Sequence, residues 1–193
     1  MHVNHPALVR HFFVIVVAIG AWLAAPLGPA FSQTKAEPPV VVTSLGQSLD
    51  AFQIQLVVKR TGVPFKYDAH IEANQLGDAK TLLLAVGASL KGFGDAGISI
   101  NDELARTSHL LDQAKSKGIF VVVIHIGGEE RRDALSNQLI ELAAPRAQYL
   151  IIRNDSDADG LFAKIAKAGN IPLDIVDGAA GLRQPLDKLF GNN

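Results

Sequence analysis

Beyond Pro39 the chain alternates short apolar runs with amphipathic ones. Val40 to Thr43 is β-branched and reads as a strand. Leu49 to Lys59 carries Leu49, Phe52 and Leu56 at helical spacing, and Gly62 supplies a left-handed stop. Phe65 to Asp68 is a weaker strand. Thr81 to Val86 is continuously apolar, the pattern of a strand covered on both faces in a parallel sheet. Asn101 is expected to cap a helix that runs to Lys117, with Asp102 and Glu103 in its first turn, where acids suit the dipole. Ile119 to Ile126 is a further strand, Arg132 to Ala144 a helix stopped by Pro145, and Tyr149 to Arg153 a strand. Asp157 to Ala168, Leu173 to Val176 and Ala180 to Phe190 complete the alternation as helix, strand and helix. Strands separated by helices of this length imply βαβ units. The predicted class is therefore α/β, a three-layer doubly wound domain over 40–191 with a mostly parallel sheet. A flavodoxin-like order, 2-1-3-4-5 with the sixth strand at the edge, is favoured over a Rossmann-like one.

The N-terminus follows another rule. Residues 1–32 hold Arg10 and no acid, an unbroken apolar run from Phe12 to Ala25, the breakers Pro26, Gly28 and Pro29, and small residues at Ala30 and Ser32. This charged, apolar and small-residue sequence is that of a secretory signal peptide, cleaved before Gln33, and it predicts a periplasmic or secreted protein. The apolar run is shorter than the ~20 residues of a membrane span, which sets cleavage above retention as an anchor. Residues 33–39 read as a polar, Pro-containing linker. The 193 residues carry a formal charge of −1 and no cysteine. Disulfides, thiolate catalysis and Cys-based metal sites are excluded. The near-neutral balance argues against nucleic acid as a partner, and no membrane contact is expected after cleavage.

In a parallel sheet every strand ends at one edge, beside helix N-termini whose free N–H groups favour anions. Ligands bind there, where the strand order reverses. Three loops bring chemistry to that edge. The first, after strand one, holds Ser44, Gly46, Gln47 and Ser48, which offer a tight turn, hydroxyls and an amide; Ser48 as a plain helix cap is the bland alternative. The second, Gly87 to Gly97, reads as a long loop with Lys91, Gly92 and Gly94, suited to an anion-binding turn or a lid. Its spacing is not that of a Walker phosphate loop. The third holds His125, Gly127, Gly128, Arg131 and Arg132. Arginine matches carboxylate and phosphate with forked hydrogen bonds, and arginine placed in a first helical turn opposes the dipole, which favours a ligand role. Glu103 and Arg106 share a helix face, and a solubilising pair is the commoner outcome. Asn154, Asp155, Asp157 and Asp159 lack the EF-hand spacing and read as a turn. No metal site and no particular cofactor is assigned.

Four segments carry a resemblance: Thr43-Ser44-Leu45-Gly46-Gln47-Ser48, Asp78-Ala79-Lys80-Thr81, Lys91-Gly92-x-Gly94 with Ala96-Gly97, and His125-Ile126-Gly127-Gly128-x-x-Arg131-Arg132. Taken in order over Val40 to Phe190, they resemble a family of exported bacterial single-domain proteins catalogued only as a domain of unknown function. The resemblance implies a signal peptide followed by one domain, and no activity. The leading expectation is an exported domain that binds a small anionic or polar ligand at the carboxyl edge of its sheet. One alternative is a hydrolase or transferase using Ser44 or Ser48 with His125 as base, although the G-x-S-x-G elbow is missing. Another is a non-catalytic protein partner in an envelope or transport complex.

Overall fold

The structure, a computed structural model, describes residues 1–3 and 35–191. The expected signal peptide therefore falls almost wholly outside the described residues. Among those described, no helix is long and apolar enough to cross a membrane.

Six strands form one sheet: β1 (Val40–Leu45), β2 (Phe65–Tyr67), β3 (Thr81–Val86), β4 (Phe120–His125), β5 (Tyr149–Arg153) and β6 (Leu173–Val176). Their order is β2-β1-β3-β4-β5-β6, and every neighbouring pair is parallel. The fold is thus the α/β, doubly wound type, with the flavodoxin-like order and the sixth strand at the edge. β1 pairs with β3 along its whole length, from Val40 opposite Thr81 to Leu45 opposite Val86. These central strands are buried throughout, which is why they read as unbroken apolar runs.

Among the described residues six helices cover the sheet: α1 (Asp50–Thr61), α2 (Leu90–Ala96), α3 (Ile100–Lys117), α4 (Ala134–Ala143), α5 (Leu161–Gly169) and α6 (Arg183–Phe190). Side chains alternate across the sheet with period two. Val41, Leu45, Val121 and Val123 pack with residues of α3, α4 and α5. Val40, Val42, Val122 and Ile124 pack with residues of α1 and α6. The expected linker is tied down from Ala36 onward. Ala36 is buried and its N–H donates to the Leu189 carbonyl, and Glu37 exchanges hydrogen bonds with the Thr81 hydroxyl.

Three local expectations are corrected. Gly87 to Gly97 is not a long loop, because Leu90–Ala96 forms α2. The Ser89 hydroxyl caps it by accepting the Gly92 N–H at 3.1 Å, and Gly97 closes it in the left-handed conformation. The cap of α3 is Ser99 rather than Asn101. Ser99 accepts from the Asp102 N–H, and Asp102 accepts from the Ser99 N–H, a reciprocal box that satisfies two otherwise free donors. The fourth helix starts after Asp133, whose carboxylate accepts the Ser136 N–H at 2.7 Å. Arg131 and Arg132 precede it, around a 3-10 turn at Glu129–Arg131. They do not stand in a first α-helical turn, so the dipole argument does not apply to them.

Glycine inside α2 is explained by its neighbour. A β-carbon on Gly92 would overlap the Gln47 carbonyl, whereas one on Gly94 would meet nothing within 4 Å. Gly92→Ala is accordingly expected to lower stability by about 1–3 kcal/mol through overpacking. Gly94→Ala should raise it by roughly 0.5–1 kcal/mol, the helix preference for alanine. Urea unfolding of the two variants checks the pair, and equal effects would contradict the packing argument.

Candidate functional site

The carboxyl ends of β1, β3 and β4 meet through their backbones. The Gly87 N–H donates to the Leu45 carbonyl at 2.9 Å, the Ser89 N–H donates to Gly46 at 2.8 Å, and Gln47 and Ala88 form an isolated antiparallel bridge. Gly46 lies at φ +106°, and any β-carbon there would run into the Gly87 peptide. The loops after β1 and β3, where the strand order reverses, are therefore joined by hydrogen bonds. Gly46 and Gly92 serve this close approach, and Gln47 accepts a left-handed backbone (φ 57°) to complete it.

Below this seam lies a buried ion pair. Arg106 donates to both oxygens of Glu103, at 2.9 and 2.7 Å, and to the carbonyls of Ile71 (2.9 Å) and Ser44 (2.5 Å). Glu103 in turn accepts the Gly46 N–H at 2.7 Å and the Gln47 amide at 3.3 Å. Gln47 also donates to Nδ1 of half-exposed His70, which places that ring's proton on Nε2, facing Glu72. The pair does not solubilise α3. It holds the turn after β1. Burial pushes the Glu103 carboxyl up, but the Arg106 guanidinium and the two donors outweigh it and leave the group below the usual carboxylate range.

Several expected site residues have partners within the protein. Ser44 is fully buried, and its hydroxyl accepts the Ser48 N–H at 3.1 Å. The Ser48 hydroxyl accepts the Asp50 N–H at 3.3 Å, a turn rather than a cap on Leu49. Lys91 is 84% exposed on α2 and pairs with Asp95 at 2.6 Å, one helical turn on, so it does not join the strand-end cluster. Gly94 is on the open side of the same helix. Gly127 underlies the Arg131 side chain, and Gly128 (φ +74°) underlies the Arg153 guanidinium. Arg132 ties α4 to the turn after β5. It donates to Asn137 (2.9 Å), to the Ser156 carbonyl and to Asp159 (2.7 Å), and lies over the Phe162 ring. Asp157 accepts the Phe162 and Ala163 N–H groups and starts α5. Among the described residues no cluster of His or acids could hold a metal.

His125 does stand at the edge, but not as a base for serine. In β4 it follows Val123 and Ile124 and faces α5, 5.6 Å from the Phe162 ring, whereas alternation turns Ser44 toward the α1 face. Both ring nitrogens face backbone carbonyls: Nδ1 is 2.7 Å from Val86 O and Nε2 is 3.3 Å from Gly128 O. Neither of its hydrogen bonds goes to Ser44 or Ser48. No hydrogen bond joins His125 to either serine, so the nucleophile–base contact expected of the serine–histidine alternative is not formed here. Burial, the largest influence, holds the imidazole below its ordinary value against the pull of the two carbonyls and Asp50.

What remains at the edge is a small cradle over Gly87. A β-carbon built there would stand 3.5 Å from Asp50 Oδ2, 3.7 Å from Arg131 Cδ and 3.9 Å from His125 Nδ1, all ordinary contacts. The Asp50 side chain is only 7% exposed, and its buried Oδ2 accepts no hydrogen bond. Arg131 is 35% exposed and loosely held, by a 3.3 Å hydrogen bond to Ala88 O and a 3.9 Å approach of Nε to Asp50 Oδ2. Asp50 and Gly87 were not singled out from the sequence. The available signal was an acid opening the helix that follows the strand where the order reverses.

A family model described as a domain of unknown function, DUF6305, matches residues 37–190. The chain belongs to that family. No curated protein matches it. Among solved structures, a GDSL-like lipase from Bacteroides thetaiotaomicron is similar over 83% of this chain and 91% of its own length, at 12% identity and a TM-score of 0.38. A likeness at that level assigns no activity. Away from the strand-end edge, this DUF6305 domain also has a cleft of about 600 Å³ at the opposite edge, lined by residues such as Lys115, Phe120, Arg146 and Gln148. None of the buried polar atoms without a partner lines it.

His125 and Glu103 act on stability in the same direction. Both are held below their ordinary values, so the unfolded chain takes up their protons first as pH falls. Their contribution is complete above about pH 6.5 and is lost below it, first through His125 and then, below roughly 4.5, through Glu103. Urea midpoints between pH 8 and 4 should fall in that pattern. His125→Gln should flatten the decline between about pH 6.5 and 5, and an unchanged slope would contradict the assignment. Glu103→Gln, which leaves Arg106 buried without its counter-charge, should cost about 3–5 kcal/mol at neutral pH.

Proposed function

We propose that this DUF6305 domain is an exported binder of a small polar or anionic ligand, held at the carboxyl edge of the sheet between Asp50, Gly87 and Arg131. The signal-like residues 1–32 support export. One observation carries the binding reading. Asp50 keeps a buried carboxylate oxygen without a donor, beside a backbone position with room for another atom and beside a partly exposed guanidinium. An unmade bond on a buried acceptor costs ~1–3 kcal/mol, and a ligand that supplied the donor would recover it. The edge is also the one at which doubly wound sheets bind ligands.

A second reading, a protein contact in an envelope or transport complex, draws on the exposed stripe of Leu49, Phe52 and Leu56 along α1. Exposed apolar groups in contiguous patches mark interaction surfaces.

Gly87→Ala separates ligand binding from folding. Its methyl would fill the cradle at ordinary contact distances, so the thermal midpoint should stay within about 2 °C or rise slightly. A thermal-shift screen of carboxylates, phosphates, amino acids and sugars should show stabilisation of the wild type by at least one class and at least a roughly tenfold weaker response in the variant, about 1.4 kcal/mol. Stabilisation that survives Gly87→Ala unchanged would place the ligand elsewhere.

A further inference from the structure

The charges around the cradle narrow the ligand class, an inference that rests on the binding reading above. We propose that the ligand is a small zwitterion carrying ammonium and carboxylate on one carbon, an α-amino acid. Asp50 offers an acceptor with no donor, and Arg131 offers donors that the protein engages through one 3.3 Å hydrogen bond to Ala88 O and the 3.9 Å approach to Asp50. A simple anion would suit Arg131 but would meet the Asp50 carboxylate where screening by water is weakest. A simple cation would suit Asp50 and meet the guanidinium. A sugar hydroxyl would satisfy Asp50 without bringing charge to the arginine, whose counter-charge in the free protein is Asp50 itself at 3.9 Å. A ligand of both signs answers both groups with charge.

The spacing sets how close those signs must be. Arg131 Nε stands 3.9 Å from Asp50 Oδ2, so the complementary groups on the ligand belong within two bonds of each other, as across an α-carbon. A carbon placed above Gly87 stands at ordinary contact distances from Asp50, Arg131 and His125, so a methyl-sized group such as that of alanine is accommodated there. His125 closes the third side as a neutral ring. Its Nδ1 faces the Val86 carbonyl at 2.7 Å, so it adds a wall and no charge. Arg153, whose guanidinium lies over Gly128, is occupied by Asp155 and does not compete for the carboxylate.

Isothermal titration of the full-length protein with L-alanine, glycine, acetate, ethylamine, L-lactate and inorganic phosphate tests this. L-alanine or glycine should bind at least on the order of 30-fold more tightly than acetate, ethylamine or phosphate, the loss that follows when one partner of a buried charge pair is missing. Asp50→Asn should weaken alanine by a similar factor and strengthen acetate. Arg131→Gln should weaken alanine without strengthening acetate. Lactate equal to alanine would show that a neutral donor suffices and would overturn the zwitterion. So would acetate or phosphate binding the wild type as tightly as alanine, or an alanine affinity indifferent to Asp50→Asn. In those cases a response still abolished by Gly87→Ala would leave the binding site standing and reject only the ligand class. Silence from every probe would overturn both.

Discussion

The arrangement of the strand edge rests on one buried ion pair. Arg106 and Glu103 stand on the first turns of α3, yet their hydrogen bonds reach Ser44, Gly46, Gln47 and Ile71. A buried pair of this kind is weak evidence for stability, since desolvation offsets much of the attraction. Its value lies in direction. Arg106 and Glu103 both reach defined partners on other elements, so the turn after β1 is fixed relative to α3 and to the segment after β2. That turn then carries Gly46 against Gly87 and Asp50 toward Arg131. Without the pair, two charges inside the domain would lose their partners and the turn its anchor.

The glycines of the same edge act by geometry. Gly46 and Gly92 let peptide groups approach where a β-carbon would overlap, and Gly127 gives Arg131 a surface to lie on. Glycine-rich loops at strand ends are often read as phosphate cradles. Here the donors that such a cradle would offer are partly used up in joining one loop to another, the Gly87 and Ser89 N–H groups among them. Gly87 differs, because its open side faces polar side chains rather than backbone.

The fold was legible because its signals are local. Unbroken apolar runs at Thr81 to Val86 and Ile119 to Ile126 announce strands with helices on both sides, and Gly62 closes its helix as expected. The site was less legible because it depends on parity and on long-range pairing. Ser44 and His125 both end strands, but one residue of register puts them on opposite faces. Lys91 looked like a loop residue until Ser89 capped a short helix beneath it and turned it to solvent. Glu103 and Arg106 show i, i+3 spacing in the sequence, which says that they can pair and nothing about burial. Asp50 was passed over because acids at helix starts are common. What singles it out is an unpartnered buried oxygen beside Gly87 and Arg131, visible only once the loops are assembled.

The interlocking of the strand-end loops also constrains how this surface can diverge. Gly92 is shaped to the Gln47 carbonyl, Gly46 to the Gly87 peptide, and Ser89 to Gly46, so a replacement in one turn is felt in the next and substitutions there should combine non-additively. Backbone variety is thereby costly, whereas the side chain at 131 touches the seam through a single 3.3 Å hydrogen bond to Ala88 and the buried Asp50 Oδ2 makes none. A lineage could exchange one chemical preference for another at those two positions and keep the scaffold unaltered.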